Sequence, residues 1–303
     1  MGQAVRVLER IASLFDDPLV TDVVFNRFDV AFARAGNVWI PAASPFVSAD
    51  EFSDWLIEVV EASGSRVDFQ NPATSVVCDG YRIHAVIGAG ISEGASATIR
   101  KLRAPALRFS HTDVATAVRL ENLIESGRRR ENILFVGAAG AGKTTLLRHF
   151  LTQFSSERIV TIEDVAELQL DSPNCIALTS RSSNSEAAGE ITLQRLLFEA
   201  LRMSPDRIAV GEVRGVELVT MLDALHTGHS GAGATIHANS LTGVTDRLMS
   251  LGLAAGMSER AVSMQVAAAF TKVAFVSNRN GYRIDSIGTF RLHSGELEVV
   301  EID

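Results

Sequence analysis

Cysteine is nearly missing from this chain. It has two in 303 residues, Cys78 and Cys175, far apart and without a C-x-x-C pair. That argues against a disulfide framework and against a four-cysteine zinc module, and it fits a reducing cytoplasm. Long apolar runs are missing too. No stretch approaches the roughly 18 continuous apolar residues of a membrane span. Over residues 1–15, Arg6, Glu9 and Arg10 interrupt what would have to be the apolar core of a signal peptide. Basic charge is in short supply as well: 28 Lys and Arg stand against 36 Asp and Glu, a net charge of -8. The chain therefore lacks the bulk footprint of a nucleic-acid binder, and no direct nucleic-acid partner is expected.

What is present is ordinary for a globular protein: 47% hydrophobic and 21% charged residues. At about 100–200 residues per domain, the length predicts two domains. In the first third, Val5, Leu8, Ile11, Ala12 and Phe15 share a helical face. Short strands are expected over 23–25, 30–33 and 38–40, with Gly36-Asn37 as a turn. A helix over 49–63 follows, capped by Ser48, then strands over 81–87 and 97–102 around a glycine-rich loop, 88–94. Pro105 and weak periodicity mark a linker. The expected organisation is an N-terminal α+β domain over 1–103, a linker over 104–112 and a second domain over 113–303.

From residue 113 the pattern becomes regular. A helix over 113–126 leads into Arg128-Arg129-Arg130, a solvated turn before a strand. The segment 132–136, continuously apolar after Asn132, reads as a strand buried on both faces. A helix over 144–154 and strands over 158–162, 175–179, 207–210 and 232–236 follow, with helices over 191–203 and 215–225 between them. Such alternation predicts an α/β fold built on a mostly parallel sheet. The tail, 272–302, alternates with period two and reads as an antiparallel addition with turns at 278–281 and 294–295.

Between the strand over 132–136 and the helix over 144–154 lies Gly137-Ala138-Ala139-Gly140-Ala141-Gly142-Lys143-Thr144, which fits G-x-x-x-x-G-K-[ST]. The glycines let the backbone approach a phosphate with its N–H groups. The helix starting near Lys143 turns its positive end to the same place. Lys143 adds a charge for the β- and γ-phosphates, and Thr144 offers a hydroxyl to Mg²⁺. Gly137, Ala138, Gly140, Ala141, Gly142, Lys143, Thr144 and Thr145 are the candidate nucleotide contacts. ATP and Mg²⁺ are the expected cofactors.

The residues downstream resemble one family, the secretion ATPases of type II, type IV and type IV-pilus systems, most closely the CpaF-like ATPases of tight-adherence pili. Besides the loop, the resemblance rests on Thr161-Ile162-Glu163-Asp164-Val165-Ala166-Glu167-Leu168, on the stretch from Leu201 to Gly215 that contains Gly211-Glu212-Val213-Arg214, and on Thr227-Gly228-His229 with Thr235-Ile236-His237-Ala238-Asn239. It is strong from about residue 132 to 251. The resemblance implies a RecA-like P-loop ATPase domain behind a smaller N-terminal domain and a homohexameric ring. It also implies hydrolysis coupled to a polytopic inner-membrane platform protein, with the chain cytoplasmic and peripheral at the membrane.

Glu212, after an apolar strand, is the expected Mg²⁺ holder together with Thr144, since carboxyl ends of parallel strands face the ligand crevice. Glu163 is implied as the residue that orients the attacking water, with Asp164 in a capping role and Glu167 behind it. His229 and His237 are implied near the γ-phosphate or a domain interface; zinc is the competing reading. Arg100, then Arg103, in the stretch Ala97-Thr98-Ile99-Arg100-Lys101-Leu102-Arg103 that resembles a strand of the family, are the implied arginine sensors, and Arg214 a coupling residue. Arg202 is expected at a helix end. Two departures stand out: Gly88-Ala89 where the family carries Pro-Pro, and Ser230 where it carries an acidic residue. A conjugation-type transfer ATPase shares all these motifs and is the main alternative. A P-loop small-molecule kinase is another, although no arginine-rich lid segment is evident.

Overall fold

The computed structural model describes residues 2–36, 38–102, 113–181, 189–278 and 282–303. Arg103, the linker over 104–112, Asn37 and most of the turn at 278–281 lie outside them. Two compact units emerge, one holding residues 2–102 and the other 113–181 with 191–303.

The first unit runs α1 (Gly2–Ala12), β1 (Val20–Arg27), β2 (Val30–Ala35), β3 (Val38–Ala42), α2 (Ala49–Ala62), β4 (Ala73–Cys78), β5 (Tyr81–Val86) and β6 (Ser96–Lys101). Its six-stranded sheet has the order β3-β2-β1-β6-β5-β4, with every neighbour antiparallel. Ser48 caps α2 by accepting from the Glu51 N–H at 3.2 Å. Phe52, Trp55, Leu56, Val59 and Val60 then fall on one helical stripe and are buried. They pack with Val7, Leu8 and Ile11 of α1 against one face of the sheet. The Trp55 indole N–H reaches the Val7 carbonyl at 2.7 Å, so a large ring is buried without orphaning its donor. Strand β4 is absent from the sequence expectation. Only Val76 and Cys78 of it are buried, too few for an apolar signal.

The second unit runs α3 (Val114–Arg128), β7 (Ile133–Gly137), α4 (Lys143–Thr152), β8 (Ile159–Glu163), β9 (Cys175–Thr179), α5 (Leu193–Ala200), β10 (Arg207–Val210), α6 (Glu217–His226), β11 (Gly233–His237), α7 (Gly243–Ala254), α8 (Glu259–Ala269), β12 (Lys272–Ser277), β13 (Arg283–His293) and β14 (Glu296–Glu301). The eight-stranded sheet has the order β14-β13-β12-β7-β11-β10-β8-β9. It is parallel from β12 to β9, and β13 and β14 add an antiparallel edge. Alternation along β7 explains its apolar run. Ile133 and Phe135 face the core shared with α3 and α4, while Leu134 and Val136 face the one shared with α5 to α8. Helices α7 and α8 carry no clear periodic signal in the sequence. Gly252 sits inside α7 because Val262 of α8 packs where its side chain would go.

The arginine run at the end of α3 is paired rather than merely solvated. Arg128 meets Glu121 and Glu125, Arg129 meets Glu131 at 3.0 Å, and Arg130 meets Glu157 at 2.9 Å.

Candidate functional site

Because β7, β11, β10 and β8 are parallel neighbours, their carboxyl ends meet along one edge. Gly137, His237, Glu212 and Glu163 stand there or one turn beyond. This is where an open parallel sheet binds ligands. Between Gly137 and α4 the loop turns through Gly140 (φ +73°) and Gly142 (φ +96°), the left-handed region open to glycine. Gly137 serves a different need: a side chain there would run into the Val276 carbonyl of β12. Ala138 and Gly140 are exposed and Ala141 is buried, while Thr144 and Thr145 in the first turn of α4 are half-buried.

Lys143 opens α4 and is itself buried. Its ammonium donates to the Gly137 and Ala138 carbonyls, both at 3.0 Å, and lies 3.1 Å from His237 Nδ1. His237 pairs with Gly137 in the β7–β11 register, which explains the meeting. On its other side His237 Nε2 lies 2.9 Å from Glu212 Oε1. An ammonium on one ring nitrogen and a carboxylate on the other select a single arrangement: neutral imidazole, Nε2–H donating to Glu212, Nδ1 accepting from Lys143. Burial, and then the Lys143 charge, hold His237 below its ordinary range and favour that neutral form. Burial also brings Lys143 down to about 8, against the pull of Glu212 and Glu167. For Glu212, burial pushes upward, but the Arg214 hydrogen bond and the positive charges of Arg214 and Lys143 outweigh it and keep the carboxyl below its usual range. Arg214 Nη2 donates to Glu212 Oε2 at 2.5 Å, and its Nη1 lies 3.5 Å from Asp164.

Glu163 ends β8 almost wholly buried. Its Oε1 accepts from the N–H groups of Glu167 at 3.1 Å and Leu168 at 3.0 Å. Burial nevertheless prevails over those bonds and raises its carboxyl to about 7. Gly211 makes room, since a Cβ there would come within 3.1 Å of Glu163 Oε1. A carboxyl titrating near neutrality suits proton transfer. Asp164 caps no helix, because none follows; it accepts from Ser180 at 2.8 Å and faces Arg214.

Sequence reasoning passed over Glu217. It is buried at the start of α6, and its Oε1 accepts from the N–H groups of Arg214 at 2.5 Å and Gly215 at 2.8 Å. It thereby shapes the loop that carries Glu212 and Arg214. Its signal was an acidic residue in a first helical turn, a common motif with a bland default meaning.

His229 stands apart from this cluster. His229 precedes β11 whereas His237 ends it, so the length of the strand, about 13 Å from Gly233 to His237, lies between them. Its Nδ1 is buried without a partner. Arg100 belongs to the other unit, where its Nε donates to the buried Asp22 at 2.6 Å in a directly opposed β1–β6 pair. Arg103 lies outside the described residues. Arg202 lies in the turn just beyond α5, near Glu199 at 3.8 Å. Among the described residues no group of three or more His, Cys, Asp or Glu is placed to hold a metal ion. No helix is long and apolar enough to cross a membrane, again among the described residues.

The residues at this edge fit a magnesium-bound nucleotide. Exposed glycine backbone and a helix N-terminus face outward beside a buried ammonium. The Thr144 hydroxyl and the Glu212 carboxylate are oxygen donors suited to Mg²⁺, which keeps waters and phosphate oxygens as its remaining ligands.

A family model described as "Type II/IV secretion system protein" matches residues 87–293. A Mycobacterium tuberculosis protein, provisionally named for conjugal transfer, is 34% identical over 298 residues, covering 93% of this chain and 84% of that one. Protein VirB11 of Agrobacterium fabrum is 28% identical, covering 98% of this chain and 92% of its own. Among solved structures, the pilus retraction motor PilT with bound ADP aligns with a TM-score of 0.64 at 20% identity, over 96% of this chain and 82% of that one. At that identity the likeness speaks for the fold alone.

Proposed function

Because the chain belongs to the type II/IV secretion system protein family, we propose that it is an Mg-ATP hydrolase that drives a secretion or pilus-assembly machine as a homohexameric ring. The observation that carries this reading is the continuous chain Arg214–Glu212–His237–Lys143 at the phosphate loop. Bound phosphate would offer Lys143 better partners than its present carbonyls, and its ammonium would exchange one set for the other. His237 would then lose an acceptor role and Glu212 a neighbouring charge. Phosphate on the loop is in this way linked to Arg214 at the far end. Thr144 and Glu212 would hold Mg²⁺, which would neutralise charge on the phosphates. Glu163 orients and deprotonates the attacking water. Arg100 and Arg103 are proposed as sensors brought to the nucleotide in the assembled ring, His229 as a contact at an interface, and Arg214 as the coupling residue. The proposed domains are 1–103 and 113–303 around the linker 104–112. The proposed location is the cytoplasmic side of the membrane, held there by a polytopic partner.

Conjugal transfer is a second reading alongside tight-adherence pili, because the provisional name of the Mycobacterium tuberculosis relative points to it. Turnover per subunit measured against protein concentration tests the ring. The rate should climb steeply with concentration and vanish in Lys143→Ala. A fast rate from a protein that light scattering shows to be monomeric would refute the ring and favour a simple hydrolase or kinase.

A further inference from the structure

An arginine cannot shed its proton, so a guanidinium taken out of water needs acceptors. Among the described residues of the second unit, every arginine but one is either exposed or has them. The exception is Arg247 of α7. It is half-buried, its Nε is shut off from water without a hydrogen-bond partner, and no carboxylate among the described residues pairs with it. Sequence reasoning gave this arginine no role.

Its place in the fold is next to the site. Strand β11 ends at His237, and the chain turns back past Ser240, whose hydroxyl accepts from the Gly243 N–H at 2.9 Å, into α7. Val244, Leu248 and Leu251 form the buried stripe of that helix, and Arg247 lies on its flank. As the fifth residue of α7 it stands about 6 Å from the helix start. Side chains on a helix lean toward its amino end, so Arg247 is aimed back at the edge where β11 finishes. The electrostatics of His237 agree. Burial and the Lys143 charge hold that ring below its ordinary range, and the Arg247 charge adds to them. The guanidinium therefore stands in the field of the same imidazole that touches Lys143 and Glu212.

The other cations at this edge are committed. Lys143 is held by loop carbonyls, and Arg214 by Glu212 and Asp164. Resting on the nucleotide reading above, we infer that Arg247 contacts the terminal phosphate of the nucleotide, reaching it from α7 while Lys143 reaches it from the loop. The outermost phosphate belongs at this end because His237 joins Lys143 to Glu212, the proposed Mg²⁺ holder. A planar fork takes two phosphate oxygens at once. Loss of that phosphate returns Arg247 to its unpartnered state, so α7 favours the triphosphate over the diphosphate.

The test compares the magnesium complexes of AMP-PNP, a triphosphate that is not hydrolysed, and of ADP. Calorimetric titration of the full chain gives both affinities for wild type and Arg247→Met, which keeps an apolar stem and removes the charge. We expect the variant to bind AMP-PNP at least about tenfold more weakly, the size of a lost hydrogen bond to a charged group, and ADP within about twofold of wild type. Denaturant unfolding of the nucleotide-free variant should show no loss of stability, because no partner is orphaned. Equal weakening of both nucleotides, or none, would overturn the inference. So would a loss of nucleotide-free stability, which would make Arg247 a support between α7 and α8, where Gln265 Oε1 is also buried without a partner. A smaller assembly by light scattering would overturn it as well, in favour of a contact with a second copy. Wild-type protein that binds neither nucleotide would instead overturn the nucleotide reading on which the inference rests.

Discussion

The parallel strands of the second unit bury a cation at each end, and the two ends handle it differently. At the amino end Arg207 is 1% exposed and every face of its guanidinium is occupied. It makes paired bonds to Glu157 at 2.9 and 3.1 Å, donates to the Gly231 and Gly127 carbonyls at 3.1 and 2.9 Å, and lies 3.7 Å over the Phe154 ring. A planar donor fork that cannot lose its proton is suited to such a permanent joint. At the carboxyl end the buried cation is a lysine. Its partners are loop carbonyls and a neutral histidine, and burial has brought it within reach of deprotonation, to about 8. One end is closed by its own residues. The other is held by partners that an incoming anion can replace.

Arg207→Met breaks the permanent end and should have the largest effect on stability. Arg130 still reaches Glu157 at 2.9 Å, but the Gly127 and Gly231 carbonyls lose their buried donor. A loss of about 3–5 kcal/mol is expected, as when one partner of a buried pair is removed. Denaturant unfolding measures it, and turnover per folded molecule should be preserved. A loss of turnover at unchanged stability would mean that the amino end is not the passive joint described here.

Glu217 sharpens the contrast from the other side, because it is a fixed element inside the exchangeable end. Glu217→Ala strips the Arg214 and Gly215 N–H groups of their acceptor, at about 1–3 kcal/mol. Turnover should fall roughly tenfold while ATP affinity stays near wild type, since the loop that aims Arg214 at Glu212 is affected and the phosphate cradle is not. Glu217→Gln keeps an oxygen at the same place and should restore most of the rate. Equal loss in both variants would assign Glu217 a charge role instead.

Much of this contrast is legible in the sequence at one end and hidden at the other. The cradle is readable because an apolar strand, three glycines and a lysine fall at fixed spacing. Gly211-Glu212 and Ile236-His237 are readable because each follows an apolar run that had to be a buried strand. That His229 and His237 flank one strand is readable as well, since Thr227-Gly228-His229 precedes it and Ile236-His237 closes it. Arg207 gave no such sign. An arginine opening an apolar strand looks like a surface charge, and its partners come from the last turn of α3 (Gly127) and from two separate loops (Glu157 and Gly231) that only the fold assembles. Strand β4 and helices α7 and α8 were hidden for a related reason. Small residues and few buried positions leave no period to detect, and tertiary packing decides their structure.

The smallest effect is a slope in pH, and it again separates the two ends. Burial raises Glu163 from about 4.5 to about 7, so between those values the folded chain holds a proton that the unfolded chain has released. Its contribution is fully present below about pH 4.5 and is lost as pH rises through 7. Lys143 is lowered from 10.5 to about 8, so its contribution is present above 10.5 and lost as pH falls through 8. The two windows do not overlap. Between pH 5 and 7 the Glu163 slope should approach, at most, about 1.4 kcal/mol per pH unit. Glu163→Gln removes the titrating group and keeps an amide oxygen for the Glu167 and Leu168 N–H groups, so the slope should flatten with little change at pH 5. Arg207 does not titrate in this range, so a variant at the amino end should shift the whole stability curve without changing its slope. If Glu163→Gln and wild type keep parallel curves from pH 5 to 7, the carboxyl is ionised throughout and the base assigned to the exchangeable end must be sought elsewhere.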